Sequence, residues 1–417
     1  MNYPDSVHYL YALGNEQKSI KFGLERIRAL LAVLGDPQNA CRFVHVAGTN
    51  GKGSTCSFIE SALRASGVKT GLYTSPHLVE PTERVQIAGS RVSHAAFAAV
   101  FDRVHETAER MLAAGALDMH PTYFETVAAM AFLLFQEAKC ERVVLEVGMG
   151  GRLDATNIVQ PELCVITPID FDHEKFLGDT IEQIASEKAG ILKPGVPAVF
   201  ARQRPEAAAV LAQRAAELAI RTIAPPEPAW VEEHERGSRF RVGDSVIECR
   251  LPGAHQVDNA LTAIAALEAL DISRENIEQG IAQARWPGRL EFVAESPAVV
   301  LDGAHNPAGA RTLAAYLRRF HAHRRVWMIF GVMRDKTVEE LTSVLFPLAH
   351  HVVATRPDQT RALEPEAIAA ASPRPVEVIH GFPQALERVR CQAAPDDLIV
   401  ITGSLYLVGE ARALLIQ

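Results

Sequence analysis

No C-x-x-C pair occurs in this chain, and its six cysteines (Cys41, Cys56, Cys140, Cys164, Cys249, Cys391) are scattered. That spacing argues against a thiolate zinc site or a disulfide framework and fits a reducing compartment. No apolar run approaches the ~18 residues of a membrane span. The first residues, Met1-Asn2-Tyr3-Pro4-Asp5, lack the basic stretch and apolar core of a secretory leader. Positive charge is not in excess either: the net charge of −8 gives no general attraction to nucleic acid or to an anionic membrane. Repeats of fixed period and low-complexity segments are absent. What is present is ordinary globular composition, 48% hydrophobic and 22% charged, over 417 residues, a length that makes two domains the default. The chain is therefore expected to be a cytoplasmic monomer that engages neither nucleic acid nor membrane. An acidic ligand would have to be held by locally placed Lys, Arg, backbone N–H groups and metal ions.

Short apolar runs alternate with amphipathic helical stretches along most of the sequence. Strands are expected at 43–47, 69–73, 142–147 and 164–169, and helices at 54–65, 95–114, 123–137, 180–189, 206–219 and 257–270. The stretch 230–249 alternates and is polar, which suggests a small antiparallel excursion. Trp286-Pro287-Gly288 interrupts the pattern and is the best boundary. A second alternating series follows, with strands at 298–301, 326–330, 351–354, 377–379 and 398–401. The expected fold is α/β: a larger unit over 1–287 and a smaller one over 288–417, each with a mostly parallel sheet.

Ligands of open parallel sheets bind at the carboxyl ends of the strands. Those ends carry Gly48-Thr49-Asn50-Gly51-Lys52-Gly53-Ser54, then Thr74-Ser75-Pro76-His77, then Glu146-Val147-Gly148-Met149-Gly150-Gly151-Arg152, then Asp170-Phe171-Asp172-His173. The first follows a strand and opens a helix, as a phosphate loop must. Lys52 could reach terminal phosphates, and Ser54 or Thr55 could offer a hydroxyl to Mg²⁺. The standard G-x-x-x-x-G-K-[ST] pattern would need Gly where Val46 stands and Ser or Thr where Gly53 stands. A glycine-rich turn without a ligand is the plain alternative. Glu146 closes an apolar strand, where a carboxylate needs a partner; a cation would supply one, and so would Arg152 or a turn to cap. His173, Asp170 and Asp172 taken singly could be structural. Their common placement at neighbouring strand ends argues for one composite metal–phosphate site.

These blocks resemble the folylpolyglutamate synthases and dihydrofolate synthases, which belong with the Mur peptidoglycan ligases. His45-Val46-Ala47 running into Gly48–Ser54 looks like their phosphate loop, including both departures. Thr74-Ser75-Pro76-His77-Leu78 with Glu83-Arg84 resembles their mobile loop. Leu145 to Asn157, Glu187-Lys188-Ala189-Gly190-Ile191, Pro252-Gly253-Ala254-His255-Gln256, Asp302-Gly303-Ala304-His305-Asn306-Pro307 and Gly403-Ser404-Leu405-Tyr406 also fit, in order and over essentially the whole chain. The resemblance implies a P-loop-type ATP-binding domain followed by a Rossmann-like domain. It implies an ATP-dependent, ADP-forming ligase that phosphorylates a carboxylate and lets the amino group of L-glutamate attack the acyl phosphate.

By matching positions, Gly48 through Ser54, Asn259, Arg289 and Asp302 would contact ATP. Ser54, Ser75 and Glu146 would serve one Mg²⁺, and Glu146 and His173 a second. Lys188 would be carbamylated beside the metals; its plain alternative is a solvated helical lysine. Lys52, Lys188, Arg289 and His305 are the expected catalytic groups. Gly23, Leu24, Glu25, Arg26, Thr122, Tyr123, Phe124, Glu125 and Leu153 would meet the pterin side of the substrate, and His305 and Ser404 the glutamate. Without the resemblance, 23–26 is a helix start and 122–125 a helix with an aromatic core face. A monovalent cation is a further possible requirement. The expected substrates are dihydropteroate, reduced folate, L-glutamate and ATP. The alternatives are a folylpolyglutamate synthase lacking the first step, a P-loop regulatory switch, or a Mur ligase proper. About forty residues precede the loop, too few for the extra N-terminal domain that last class normally carries.

Overall fold

The first sheet is built from runs of β-branched and apolar residues. Its strands are β1 (Arg42–Ala47), β2 (Thr70–Tyr73), β3 (Val85–Ile87), β4 (Ser90–Arg91), β5 (Arg142–Glu146), β6 (Leu163–Ile166), β7 (Ala198–Phe200) and β8 (Thr222–Ile223). They are seen in a computed structural model that describes residues 1–13 and 23–416. The order is β4-β3-β2-β5-β1-β6-β7-β8. All pairs are parallel except β2–β3 and β3–β4. Side chains alternate between faces. Phe43, Val143 and Leu145 pack into the layer holding helices His94–Ala113 and Tyr123–Glu137. Val44, Val46 and Val144 face the layer of helices Lys52–Ala65 and Ala254–Ala269. Both faces are covered, which is why these strands read as continuous apolar runs.

The polar stretch forms the expected antiparallel excursion, β9 (Trp230–His234), β10 (Gly237–Val242) and β11 (Ser245–Cys249). The second sheet has β12 (Glu291–Glu295), β13 (Ala298–Asp302), β14 (Val326–Phe330), β15 (His351–Ala354), β16 (Glu377–Val378) and β17 (Leu398–Thr402), in the order β12-β13-β17-β14-β15-β16. It is parallel except for β12.

The expected strand over 164–169 ends at Ile166, because Pro168 lacks an N–H and restricts the residue before it. The outer strands β3, β4, β7 and β8 of the first sheet and β12 of the second were not expected; most are two or three residues long, too short for a periodic signal. Helix Arg274–Gln283 was also not anticipated. It presses on the phosphate-loop helix at Gly280, where a Cβ would lie 2.2 Å from Ala62 Cα. Among the described residues no helix is long and apolar enough to cross a membrane.

Candidate active site

Sheet register brings the strand ends together. Val46 pairs with Glu146 across β1 and β5, and Ala47 with Ile166 across β1 and β6. The loop after β1 therefore lies between the residues that follow β5 and β6. Gly51 adopts φ 81° and opens helix Lys52–Ala65, whose first turn offers unpaired N–H groups and a favourable field for an anion. The N–H groups of Thr49 and Asn50 are already spent on Pro168 O (3.0 and 3.2 Å), so a phosphate cradle must be made by those further along the loop. The Thr49 hydroxyl donates to Asp170 O at 2.9 Å, and the Asn50 side-chain oxygen accepts from Asn306 at 3.0 Å.

Gly53 explains one departure from the standard pattern. A Cβ there would lie 2.3 Å from Trp286 Cζ2, because the segment linking the two sheets lays that indole over the loop. Val46 explains the other, since β1 is still paired at that position.

Two lysines converge on the loop. Lys52 Nζ donates to Gly48 O (3.2 Å) and Thr49 O (3.1 Å), and Lys188 Nζ donates to Gly48 O (2.8 Å). Lys188 is buried, not a solvated helical lysine; desolvation, then Lys52, brings its pKa down to about 7. Glu146 is buried and accepts from Ser75 N at 3.0 Å. Arg152 is not its partner, pairing instead with Glu187 at 2.8 Å. Burial pushes the Glu146 pKa up, opposed by Lys52, the Ser75 N–H, Arg289 and Arg84.

His173 has a left-handed backbone (φ 54°), and its buried Nδ1 lacks a partner; burial first holds its pKa down at about 4. A desolvated carboxylate, an orphaned ring nitrogen and the Ser54 and Ser75 hydroxyls form a donor set that fits Mg²⁺.

From the second sheet, Asp302 at the end of β13 uses both carboxylate oxygens on backbone N–H groups, those of Leu290 and Ala304 (3.0 Å each). Burial raises its pKa. Arg289 is half-buried and donates to Gly288 O at 3.0 Å, with Asp302 and Glu146 as its carboxylate neighbours. His305 rests on Gly303 O (2.7 Å) and faces Asp172 at 3.6 Å. Ser404 caps helix Leu405–Leu415 by accepting from Leu407 N at 3.1 Å. Asn259 bonds Gln256 at 3.1 Å and lies against Gly51.

All of these line one cavity of about 680 Å³, together with Gly23, Thr122, Phe124, Glu125 and Leu153. Leu24, Glu25, Arg26 and Tyr123, also expected to contact the substrate, do not line it. Leu24 and Tyr123 are core residues, because the apolar members of both helix starts face inward. Arg26 is buried against Glu125 at 2.8 Å.

Lys336, Asp154 and Trp286 were missed. Lys336 reaches Asp172 at 2.5 Å from the second sheet. Burial tends to raise the Asp172 pKa, yet the His305 bond and the charges of His173, His305 and Lys336 hold it well below the carboxylate range. Asp154 accepts from Gly148 N and Met149 N (3.0 Å each) and from the Thr156 hydroxyl (2.5 Å), fixing the glycine turn after β5. A D-x-T capping pattern, inside the family-like block Leu145 to Asn157, was the sequence signal for it.

A phosphate loop, a buried carboxylate and fixed cations shared by two α/β sheets define the class of ATP-dependent, ADP-forming ligases. Residues 46–267 match the Mur ligase middle domain, and 288–405 match the Mur ligase glutamate ligase domain. The dihydrofolate synthase/folylpolyglutamate synthase of Bacillus subtilis is 36% identical, over 98% of both chains. A probable bifunctional folylpolyglutamate synthase/dihydropteroate synthase of Haloferax volcanii is 36% identical over 99% of this chain, which spans about half (50%) of that relative's length. The Mycobacterium tuberculosis folylpolyglutamate synthase complexed with ADP superposes with a TM-score of 0.91 at 32% identity, over 100% of this chain and 99% of that one. The chain belongs to the Mur ligase family, in its branch of dihydrofolate and folylpolyglutamate synthases.

Proposed function

We propose that this chain uses ATP to join L-glutamate to dihydropteroate, forming dihydrofolate, and to the γ-carboxylate of reduced folates. The observation that carries this reading is the single cavity in which Lys52, Glu146, Lys188, Arg289 and His305 converge from both sheets. A carboxylate is a poor electrophile. Its oxygen attacks the γ-phosphorus as the bond to the β,γ-bridging oxygen breaks, and ADP leaves. The glutamate amine, having lost a proton, attacks the acyl carbon; the C–O bond to phosphate breaks, phosphate departs with the electron pair, and the nitrogen sheds a second proton to leave the neutral amide.

The first turn of helix Lys52–Ala65 and Lys52 hold the transferring phosphate. Arg289 keeps its charge in a half-buried position and meets the negative charge that develops there. Ser54, Ser75 and Glu146 would hold one Mg²⁺, and Glu146 and His173 a second, beside Lys188. Such ions supply charge neutralisation between two anions. A lysine with a pKa of about 7 offers the neutral amine that carbamylation requires. Asn259 and Asp302 flank the nucleotide, His305 and Ser404 the glutamate, and Thr122, Phe124, Glu125 and Leu153 the pterin side. The sheets act as two domains, 1–287 and 288–417, that close on ATP. The working form is a cytoplasmic monomer.

Phosphate release with ATP and glutamate, using dihydropteroate, tetrahydrofolate and a muramyl peptide as acceptors, tests the reading. Turnover is expected with both pteroyl acceptors. Tetrahydrofolate alone would point to a folylpolyglutamate synthase without the first step, and the muramyl peptide alone would sink the folate reading. Lys52→Ala and Glu146→Ala are expected to lower turnover at least about a hundredfold with circular dichroism unchanged, a loss typical of removing a transition-state charge partner.

A further inference from the structure

On the outer layer of the first sheet, away from the nucleotide cavity, His105, Glu109 and His120 bring three donor atoms within 4.8 Å of one another. His105 and Glu109 are one turn apart on helix His94–Ala113, so they share a face. His120 comes from the segment that leads into helix Tyr123–Glu137. Glu109 Oε1 lies 3.9 Å from His105 Nδ1 and 3.7 Å from His120 Nε2. Both separations exceed hydrogen-bond length. Both ring nitrogens are buried and have no hydrogen-bond partner, an arrangement that costs free energy unless something fills it.

The ring of His120 is oriented as a metal ligand would be. Its Nδ1 lies 2.8 Å from Pro121 O; a carbonyl can only accept, so that nitrogen carries the proton. That leaves Nε2, which faces Glu109 and His105, as the ring's ligand atom, and an Nδ1–H bond to a backbone carbonyl is the outer contact that commonly orients a ligating histidine. Tyr9 closes the group from the first helix, its hydroxyl donating to Glu109 Oε1 at 3.4 Å and its ring 4.4 Å from His105. Phe101 stacks on the His105 ring with centroids 5.6 Å apart.

We propose that His105, Glu109 and His120 form a binding site for a divalent transition ion of the zinc type. Two imidazoles and one carboxylate with a fourth position for water make a tetrahedral set that zinc accepts. Mg²⁺ and Ca²⁺ prefer six or more oxygens, which this group does not offer. Donors at zinc distance sit ~3.3 Å apart, so the two Glu109 pairs must close by about half an ångström and the two ring nitrogens, within 4.8 Å of each other, by up to about 1.5 Å. The ion would tie helix His94–Ala113 to the segment two residues before Thr122, and so stiffen the cavity wall formed by Thr122, Phe124 and Glu125. A second group of possible ligands, Glu364, Glu366 and His380, is already committed: Glu364 to Arg334 and Arg356, and His380 to Glu366.

The test uses the whole chain, stripped with a chelator, then given Zn²⁺ and desalted in buffer containing Mg²⁺. Bound zinc is counted by elemental analysis, and thermal midpoints are recorded with and without Zn²⁺. The wild-type chain is expected to retain one zinc ion more than Glu109→Gln or His120→Gln, with affinity at least tenfold higher, and only the wild type should gain thermal stability. Zinc held elsewhere cancels in the difference. Glu109 is half exposed (52%), so Glu109→Gln decides the matter even where His120→Gln fails to fold. Equal zinc content and equal thermal response in wild type and Glu109→Gln, or no zinc retained by the wild type, would overturn the proposal.

Discussion

Buried polar groups give this site its character, and His45 shows how far the effect reaches. It lies on β1 with no exposure, its Nε2 2.8 Å from the Thr156 hydroxyl, which in turn donates to Asp154. Asp154 holds the Gly148–Met149 turn, so a core imidazole braces a wall of the cavity. Burial, and then Lys193, keeps its pKa down at about 3. Between that value and the ordinary one near 6.5, the unfolded chain binds a proton that the folded chain refuses. The stability it permits is therefore complete above about pH 6.5 and is lost as pH falls towards 3, by about 2 kcal/mol from pH 7 to 5. His45→Gln can keep the bond to Thr156 without titrating. Urea denaturation should show its stability falling by about 2 kcal/mol less than wild type over that range; equal falls would contradict the assignment.

At the scale of elements, the phosphate loop is shaped by what lies across it. Gly53 stands where the standard pattern has Ser or Thr because the Trp286 ring occupies the space a side chain would need. Restoring the standard pattern with Gly53→Ser should therefore harm the protein. The expected cost is ~1–3 kcal/mol of stability, from overpacking, together with a marked fall in phosphate release. Adding Trp286→Ala should return part of the stability, and a double-mutant cycle measures the coupling. Strict additivity would mean that the indole does not set the residue at this position. The strand ends, the loop and the helix after it were legible in sequence, because a strand–glycine–helix succession is local. The indole over the loop was not, since Trp286 is more than two hundred residues away.

At the scale of the whole molecule, contacts between the sheets join the two halves of the cavity. Lys336 pairs with Asp172, Asn306 with Asn50 and Asp172, and Arg311 with Asp170. The Lys336–Asp172 pair is nearly buried, with side chains 10% and 9% exposed, and removing one partner of a buried pair costs ~3–5 kcal/mol. Lys336→Ala should weaken the association of the halves while each keeps its fold. Small-angle scattering with ATP, Mg²⁺ and a pteroyl substrate should show the wild type compacting and the variant remaining more open, with turnover at least tenfold lower. If the two scatter alike, this pair does not govern closure.

The amino-acid sequence by itself determined two α/β series, the antiparallel excursion, the phosphate loop and the strand-end residues Glu146, Asp172 and His173. Each depends on short-range periodicity and on turn chemistry within a few positions. The tertiary structure alone decided that Glu146 is not paired with Arg152, that Lys188 is buried against Gly48, and that Leu24 and Tyr123 belong to the core. It also decided that Lys336, 164 residues from Asp172, completes the site. The physical reason is that burial and charge pairing depend on which elements pack together, and strand order and register set that packing over distances that local pattern does not span.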